Sequence, residues 1–384
     1  MRLLSDLSAG RAPALGFVVM GLVWAAFAAQ VPVLKARIEA SDATFGMIFL
    51  VSSTGALVAA WFAPAVDRFA QSWSVALASI ALPLTLLVPS TTGSIFWFTA
   101  GLLLASAASG VSDILINARV AEIEAERRRP MMNLVHALYS FAFAGMAILT
   151  GYLREAGLTP LQVYAMVTLV TFVALPFMRA APARLGRREA KPLKPNHFHG
   201  LVWLTGLVVL IGFMAELAVE GWSALHLERT LGGDASEGAM GPAILGLSMG
   251  FGRLFGQLIA HRFTDTIMIA AACLVSATGV SLAAMAQTLM LAYLGFAVMG
   301  LGVSIVIPLT MALIGRAVPE EDRINAIGRA SVIGYGAFLI GPSLMGISSD
   351  FLGLRSAFLL VAIFLVAVAF PLMPLIARRI VSSG

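Results

Sequence analysis

Apolar runs about twenty residues long, the length of a membrane crossing, recur along this chain and are separated by short polar breaks. Twelve such runs fall near 14–35, 43–66, 73–92, 95–119, 131–153, 161–179, 200–222, 239–261, 266–286, 289–315, 325–348 and 354–377. Each is long enough to cross a hydrocarbon core about 30 Å thick at ~1.5 Å per residue. Lipid admits only helices and closed barrels. Barrel strands alternate in polarity over about ten residues, and these runs are longer and uniformly apolar. The pattern predicts an all-α membrane protein of twelve transmembrane helices with short connections.

Composition and charge sharpen that picture. Hydrophobic residues make up 59% of the chain and charged residues 12%, about half the roughly 25% of a soluble domain. The net charge of +5 would suggest nucleic acid in a soluble protein, but here it follows topology. Nineteen of the 25 Lys and Arg fall in connections on one side, only Lys35, Arg37, Arg154, Arg229 and Arg355 on the other, and Arg253 inside a run. Cytoplasmic connections are the basic ones, so both termini are expected in the cytoplasm of a multi-pass inner-membrane protein. The single Cys273 excludes an internal disulfide.

The longest polar stretch, Arg179 to His199, carries six basic residues against Glu189. It divides the chain into an N-terminal six-helix bundle (1–180), a basic cytoplasmic linker (181–198) and a C-terminal six-helix bundle (199–384). The halves echo one another: Asp67-Arg68 after the second run corresponds to His261-Arg262 after the eighth, and Arg119 and Arg316 each close a run. Such parallel repeats place a substrate site at the midplane between halves.

With these features the chain resembles the major facilitator superfamily along essentially its whole length. The Asp67-Arg68-x-Ala70 segment is similar to the loop motif between the second and third helices of that family, without its usual Gly and following basic pair. SDILINARVAEIE (112–124), RRPMMNLVHALYSFAFAG (128–145), FMAELAVEGWS (213–223) and GFGRLFGQ (250–257) are similar to a bacterial branch near the fucose and hexose:proton symporters. The resemblance implies a 6+6 pseudo-symmetric fold, alternating access and proton-coupled sugar transport. It also implies that Asp67 and Arg68 belong to a gating element.

Ionisable groups inside a membrane helix cost ~2.5–3.5 kcal/mol on insertion scales and so require a reason. Within the runs they are Asp113, His136, Glu216, Glu220 and Arg253. Asp113 shares a helix face with Asn117, Ser106, Ser109 and Gly110, a small polar stripe suited to a cavity. A carboxyl there can hold and release a proton, and the resemblance assigns the acid-x-x-x-Asn pair to proton coupling and sugar binding. The structural alternative is a carboxylate paired with Arg253 or a backbone group. Glu216 and Glu220 are one turn apart on a face shared with Gly212, and facing Asp113 across a cavity they suit alternating protonation. Trp222 is expected to mark the outer interface, which would make Glu220 a solvated rim residue.

His136, on a face with Asn133 and Ser140, either binds substrate hydroxyls or satisfies the Asp113 helix. Arg253, in the Gly-rich run Gly246, Gly250, Gly252 and Gly256, is expected to form a conformation-dependent ion pair across a close helix contact. Gln30, Trp24 and Asn325 are candidates to hydrogen-bond or stack on a substrate, with helix-interface packing as the alternative. No phosphate loop, dinucleotide fingerprint, Cys/His metal cluster or nucleophile elbow is present, so neither an enzyme nor a bound cofactor or metal is expected. The sequence therefore leads to a secondary transporter of a small polar, sugar-like solute. Its partners are that solute, protons and the bilayer but no nucleic acid, and it works as a monomer by proton symport. A proton-coupled drug or metabolite exporter is the first alternative, and a non-transporting sensor on the same fold the second.

Overall fold

Polar caps punctuate the apolar helices. In the computed structural model, which describes residues 10–128, 131–180, 199–260, 264–320 and 322–383, the Ser41 hydroxyl accepts from the Thr44 amide at 3.1 Å and opens the second helix. Thr159 and Gln162 cap one another's backbone around Pro160, the first residue of the sixth. Each device satisfies backbone donors that lipid would leave orphaned. The 181–198 linker and the His261-Arg262 pair lie outside the described residues.

Helices follow in the order α1 (Arg11–Arg37), α2 (Asp42–Ser52 and Thr54–Ala70), α3 (Ser74–Thr85), α4 (Ile95–Arg127), α5 (Met132–Glu155) and α6 (Pro160–Ala174). The second half begins with α7 (His199–Leu225), whose end continues as a π-turn at His226–Thr230, then α8 (Ala235–Ala260), α9 (Asp265–Met285) and α10 (Leu289–Ala317). The stretch Arg323–Ala367 is bent at Gly353; the limb before it is α11 and the limb after it α12, which runs on through Met373–Ser383. No strand is present among the described residues.

Nine stretches among the described residues are long and apolar enough to cross a membrane. Two of them, Asp42–Thr85 with 44 residues and Asn325–Ile380 with 56, exceed a single ~30 Å crossing at ~1.5 Å per residue. The first turns where Gln71 adopts φ 52°. Its two limbs run in opposite directions: Ala180 donates to the Ser72 carbonyl at one end, and Arg37 donates to the Ser90 carbonyl at the other. The second turns at Gly353, with φ 81° and ψ 160°, a conformation open to glycine and costly for any residue with a Cβ. Nine such stretches, two of them doubled back, stand beside the twelve crossings expected from the sequence.

The Arg11 side chain donates to the Phe177 carbonyl at 2.9 Å where α1 begins and the first half ends; this is the terminal end of the bundle. The opposite, distal end carries the α1–α2 connection, the π-turn after α7 and the Gly353 bend. Across the halves α2 packs along α11, α5 along α8, and α1 against α7. The α2–α11 contact is close because Gly46 faces it: a Cβ there would sit 2.6 Å from the Pro342 carbonyl oxygen. Large apolar side chains such as Trp61, Phe69 and Phe172 point outward, as a lipid-facing surface requires.

Candidate functional site

Helices from both halves meet α5 at Tyr139 and Ser140, α1 through Phe17 and α8 through Arg253. On α4, Asn117 Nδ2 donates to Asp113 Oδ1 at 2.8 Å and to the Asp113 carbonyl at 2.9 Å, so the pair four residues apart acts as one polar unit. Trp24 on α1 donates its indole N–H to Ser109 Oγ at 3.0 Å, one turn along the same α4 face. On α5, His136 Nδ1 lies 2.9 Å from the Met132 carbonyl and its ring packs against Phe17 with centroids 4.5 Å apart.

The second half answers with α7 and α8. Arg253 donates to Ser140 Oγ at 2.8 Å and lies 3.9 Å from Glu216 Oε1, so one guanidinium bridges both halves. Glu216 is buried and Glu220 half-buried one turn further along α7. The Tyr139 ring meets Phe17 edge-on at 6.5 Å and lies 6.0 Å from Phe143 between centroids. Tyr335, Phe213 and Phe338 form a ring cluster with centroids 5.4 to 6.2 Å apart.

The structure thus joins Asp113 to Asn117, ties Trp24 to the same α4 face through Ser109, and brings Arg253 and Glu216 of the second half to Ser140, one turn from His136. The alternative in which Arg253 serves Asp113 is not the pairing seen: Asp113 bonds Asn117, while Arg253 bonds Ser140 and Glu216. Trp222 is not an interfacial residue. It is fully buried, with its ring 6.1 Å from that of Phe45 on α2, because the facing half covers this end of α7. Glu220 beside it is therefore no rim residue. Gln30 is buried but donates to the Ala26 carbonyl of its own helix at 2.9 Å. Asn325 is exposed in the first turn of α11 at the terminal end, where Asp67 (buried) and Arg68 (exposed) close α2; none of these three reaches the cluster. Tyr139, Phe213 and Tyr335 are the contributors that sequence reasoning missed, whereas Ser140 was read on the His136 face without its bond to Arg253. Tyr139 was legible as the residue three after His136, and Phe213 as three before Glu216.

A second constellation seals the distal end. Asp42, 4% exposed, receives Lys35 at 2.9 Å from its own half and Arg229 at 3.0 Å and Ser349 from the other. Next to Arg229, Glu228 takes Arg154 of α5 through two hydrogen bonds of 2.7 and 3.1 Å. Ser53 and Ser343 add bonds between α2 and α11 at 2.8 and 3.2 Å. The π-turn at the end of α7 carries both Glu228 and Arg229, so neighbours of opposite charge each meet a complementary partner in the facing half.

Comparison with known proteins agrees with this architecture. The sequence profile of the Major Facilitator Superfamily matches residues 14–294 and 226–382. An uncharacterised MFS-type transporter of Yersinia pestis is 30% identical over 364 residues, covering 92% of each chain. The membrane protein MosC of Rhizobium meliloti is 26% identical, with 91% of this chain and 86% of that one aligned. Among solved structures, a bacterial homologue of the human lysosomal transporter Spinster, in an inward-facing and occupied conformation, superposes with a TM-score of 0.72 at 14% identity over 100% of this chain and 98% of the other. The nucleoside transporter NupG gives a TM-score of 0.74 at 13% identity, over 96% and 98%.

Proposed function

The chain belongs to the major facilitator superfamily of membrane transporters, and from that premise we propose that it carries a small polar, hydroxyl-bearing solute by alternating access coupled to protons. One observation carries this reading: Arg253 of the second half hydrogen-bonds Ser140 of the first and pairs with Glu216, while α4 of the first half carries the bonded Asp113–Asn117 pair. Carboxyls at helix centres are retained where they exchange protons or bind cargo. A cluster divided between two rocking bodies changes its surroundings in every cycle, so its proton affinity is coupled to conformation.

In this reading both termini are cytoplasmic in the inner membrane, and the distal seal of Asp42, Arg229, Arg154 and Glu228 closes the outer side. The state is inward-facing. Asp113 takes a proton from outside, solute binds between α4, α5 and α7, and the halves rock. Proton release to the cytoplasm then resets the carrier. Each inward proton contributes ~2.3 kcal/mol per 100 mV of membrane potential. Asn117, His136 and Trp24 supply hydrogen bonds and an aromatic face to the solute.

The test is external pH in weakly buffered, de-energised cells given pooled sugars and polyols. Wild-type cells should alkalinise the medium. Asp113→Asn should remove that signal and gradient-driven accumulation, while energy-independent exchange persists in part. Accumulation at the wild-type level by the mutant would refute Asp113 as the proton site, and acidification by preloaded vesicles would establish the exporter instead.

A further inference from the structure

We infer that α9 and α12 form a binding site for a bilayer phospholipid, with an acyl chain in the groove between them and the lipid phosphate on Arg355. Both helices belong to the second half, so the site stands apart from the polar residues of α4, α5, α7 and α8 and from the contacts between halves.

The groove supplies the apolar part. Ser281 of α9 and Leu359, Ala362, Ile363 and Val366 of α12 line a space of about 380 Å³. Its mouth faces outward: Ile363 is 62% exposed and Val366 37%. An outward apolar side chain of a membrane helix meets hydrocarbon, so an acyl chain is what fills this space. Arg355, Leu359, Ala362 and Val366 follow at i, i+4, i+7 and i+11, and one stripe of α12 therefore carries both the guanidinium and the groove wall. Arg355 also closes the distal end of the groove, donating to the Ala286 carbonyl of α9 at 3.0 Å, five residues beyond Ser281. The first lining residue of α12 is one turn, about 6 Å, from Arg355. One amphiphilic molecule can thus touch both.

The second support is charge. Of the five basic residues at the distal end, Lys35, Arg154 and Arg229 have carboxylate partners. Arg355 forms no salt bridge among the described residues, and its hydrogen bond goes to a neutral carbonyl. A guanidinium carries five N–H donors in a planar fork that suits phosphate, and the Ala286 carbonyl takes one of them. Gly353 bends the chain just before, so Arg355 stands in the first turn of α12, where the helix dipole also favours an anion. A hydrocarbon without a headgroup would leave the guanidinium unmatched, and a soluble anion would leave the groove unfilled. A phospholipid satisfies both at the depth where α12 begins.

The experiment is native mass spectrometry of the purified, delipidated full chain titrated with dioleoyl phosphatidylglycerol, with the affinity of the first bound lipid as the readout. Dioleoylglycerol, which has the chains without the phosphate, and glycerol 3-phosphate, which has the phosphate without the chains, are titrated in parallel. The phospholipid should bind about tenfold or more tightly than either, and Arg355→Gln should weaken it by about tenfold, as loss of a charge-assisted hydrogen bond implies. Ile363→Trp fills the groove from its exposed edge, leaves Arg355 in place and should weaken binding by a similar factor; it decides the matter should R355Q fail to fold. Wild-type affinity in either folded variant would overturn the site. Equal binding of dioleoylglycerol would overturn the role of Arg355, and equal binding of glycerol 3-phosphate would overturn that of the groove.

Discussion

Removing Asp42 should open the distal end of the molecule. Its carboxylate joins three groups, but they do not count equally. Lys35 belongs to the same half and moves with Asp42, so its 2.9 Å contact survives in either conformation and does not bias the equilibrium. Arg229 and Ser349 belong to the other half. Arg229 is 47% exposed, so its pair is discounted for solvent to at most about 1 kcal/mol. The Ser349 hydrogen bond adds about 1 kcal/mol. Asp42→Ala therefore shifts the balance toward the distal-open state by about 2 kcal/mol, or roughly thirtyfold. Asp42→Asn keeps an acceptor for Ser349 and should shift it by about 1 kcal/mol, roughly fivefold.

The measurement is labelling of a cysteine at Ser343, a position 8% exposed beneath the seal and bonded across it to the Gly46 carbonyl. The native Cys273 is buried and is replaced by Ala to remove background. With a membrane-impermeant maleimide on the distal side, the labelling rate should rise by the two factors above, in the order Ala above Asn. Equal rates in wild type and both mutants would refute the idea that Asp42 biases the conformational equilibrium. A rise of the same size in Lys35→Met would refute the division into contacts within and across the halves.

Other outcomes follow from the same contacts. Glu228→Ala should open the distal end more than Asp42→Ala does, because Arg154 is only 7% exposed and a buried cation deprived of its partner costs about 3–5 kcal/mol; the Ser343 cysteine reads the difference. Gly46→Val should prevent distal closure, since its Cβ would lie 2.6 Å from the Pro342 carbonyl oxygen and 3.1 Å from the Gly346 Cα; labelling should become fast and transport should stop while the protein stays monodisperse. Trp222→Ala removes a fully buried ring from the contact with Phe45 and should cost about 3–5 kcal/mol, seen as a lower melting temperature in detergent. Arg253→Lys should impair transport more than folding, as a point charge replaces a planar fork that reaches both Ser140 and Glu216; a normal transport rate would show that the bridge between halves is dispensable.

Lipid makes much of this fold legible, because it tolerates only long apolar helices and charges each buried ionisable group for its place. That second constraint explains why Asp113, Glu216, Glu220 and Arg253 stood out, and two of them, Glu216 and Arg253, meet in space. Neutral partners carry no such signal. Tyr139, Phe213 and Tyr335 are ordinary residues of apolar helices until the halves are docked, and Trp222 is misread as interfacial for the same reason: what covers it comes from the other half. The distal seal was present in the sequence in a different form. Lys35, Arg37, Arg154, Arg229 and Arg355 were the five exceptions to a strongly one-sided distribution of basic residues. Each has a specific partner in the structure: Asp42 for Lys35 and Arg229, Glu228 for Arg154, and the Ser90 and Ala286 carbonyls for Arg37 and Arg355. Basic residues on the disfavoured side oppose insertion in that orientation, so those that remain are held by bonds they make there. Two of the five reach across to the other half. The exceptions to the charge rule thus carry positional information that the rule itself does not, and they mark where one half closes on the other.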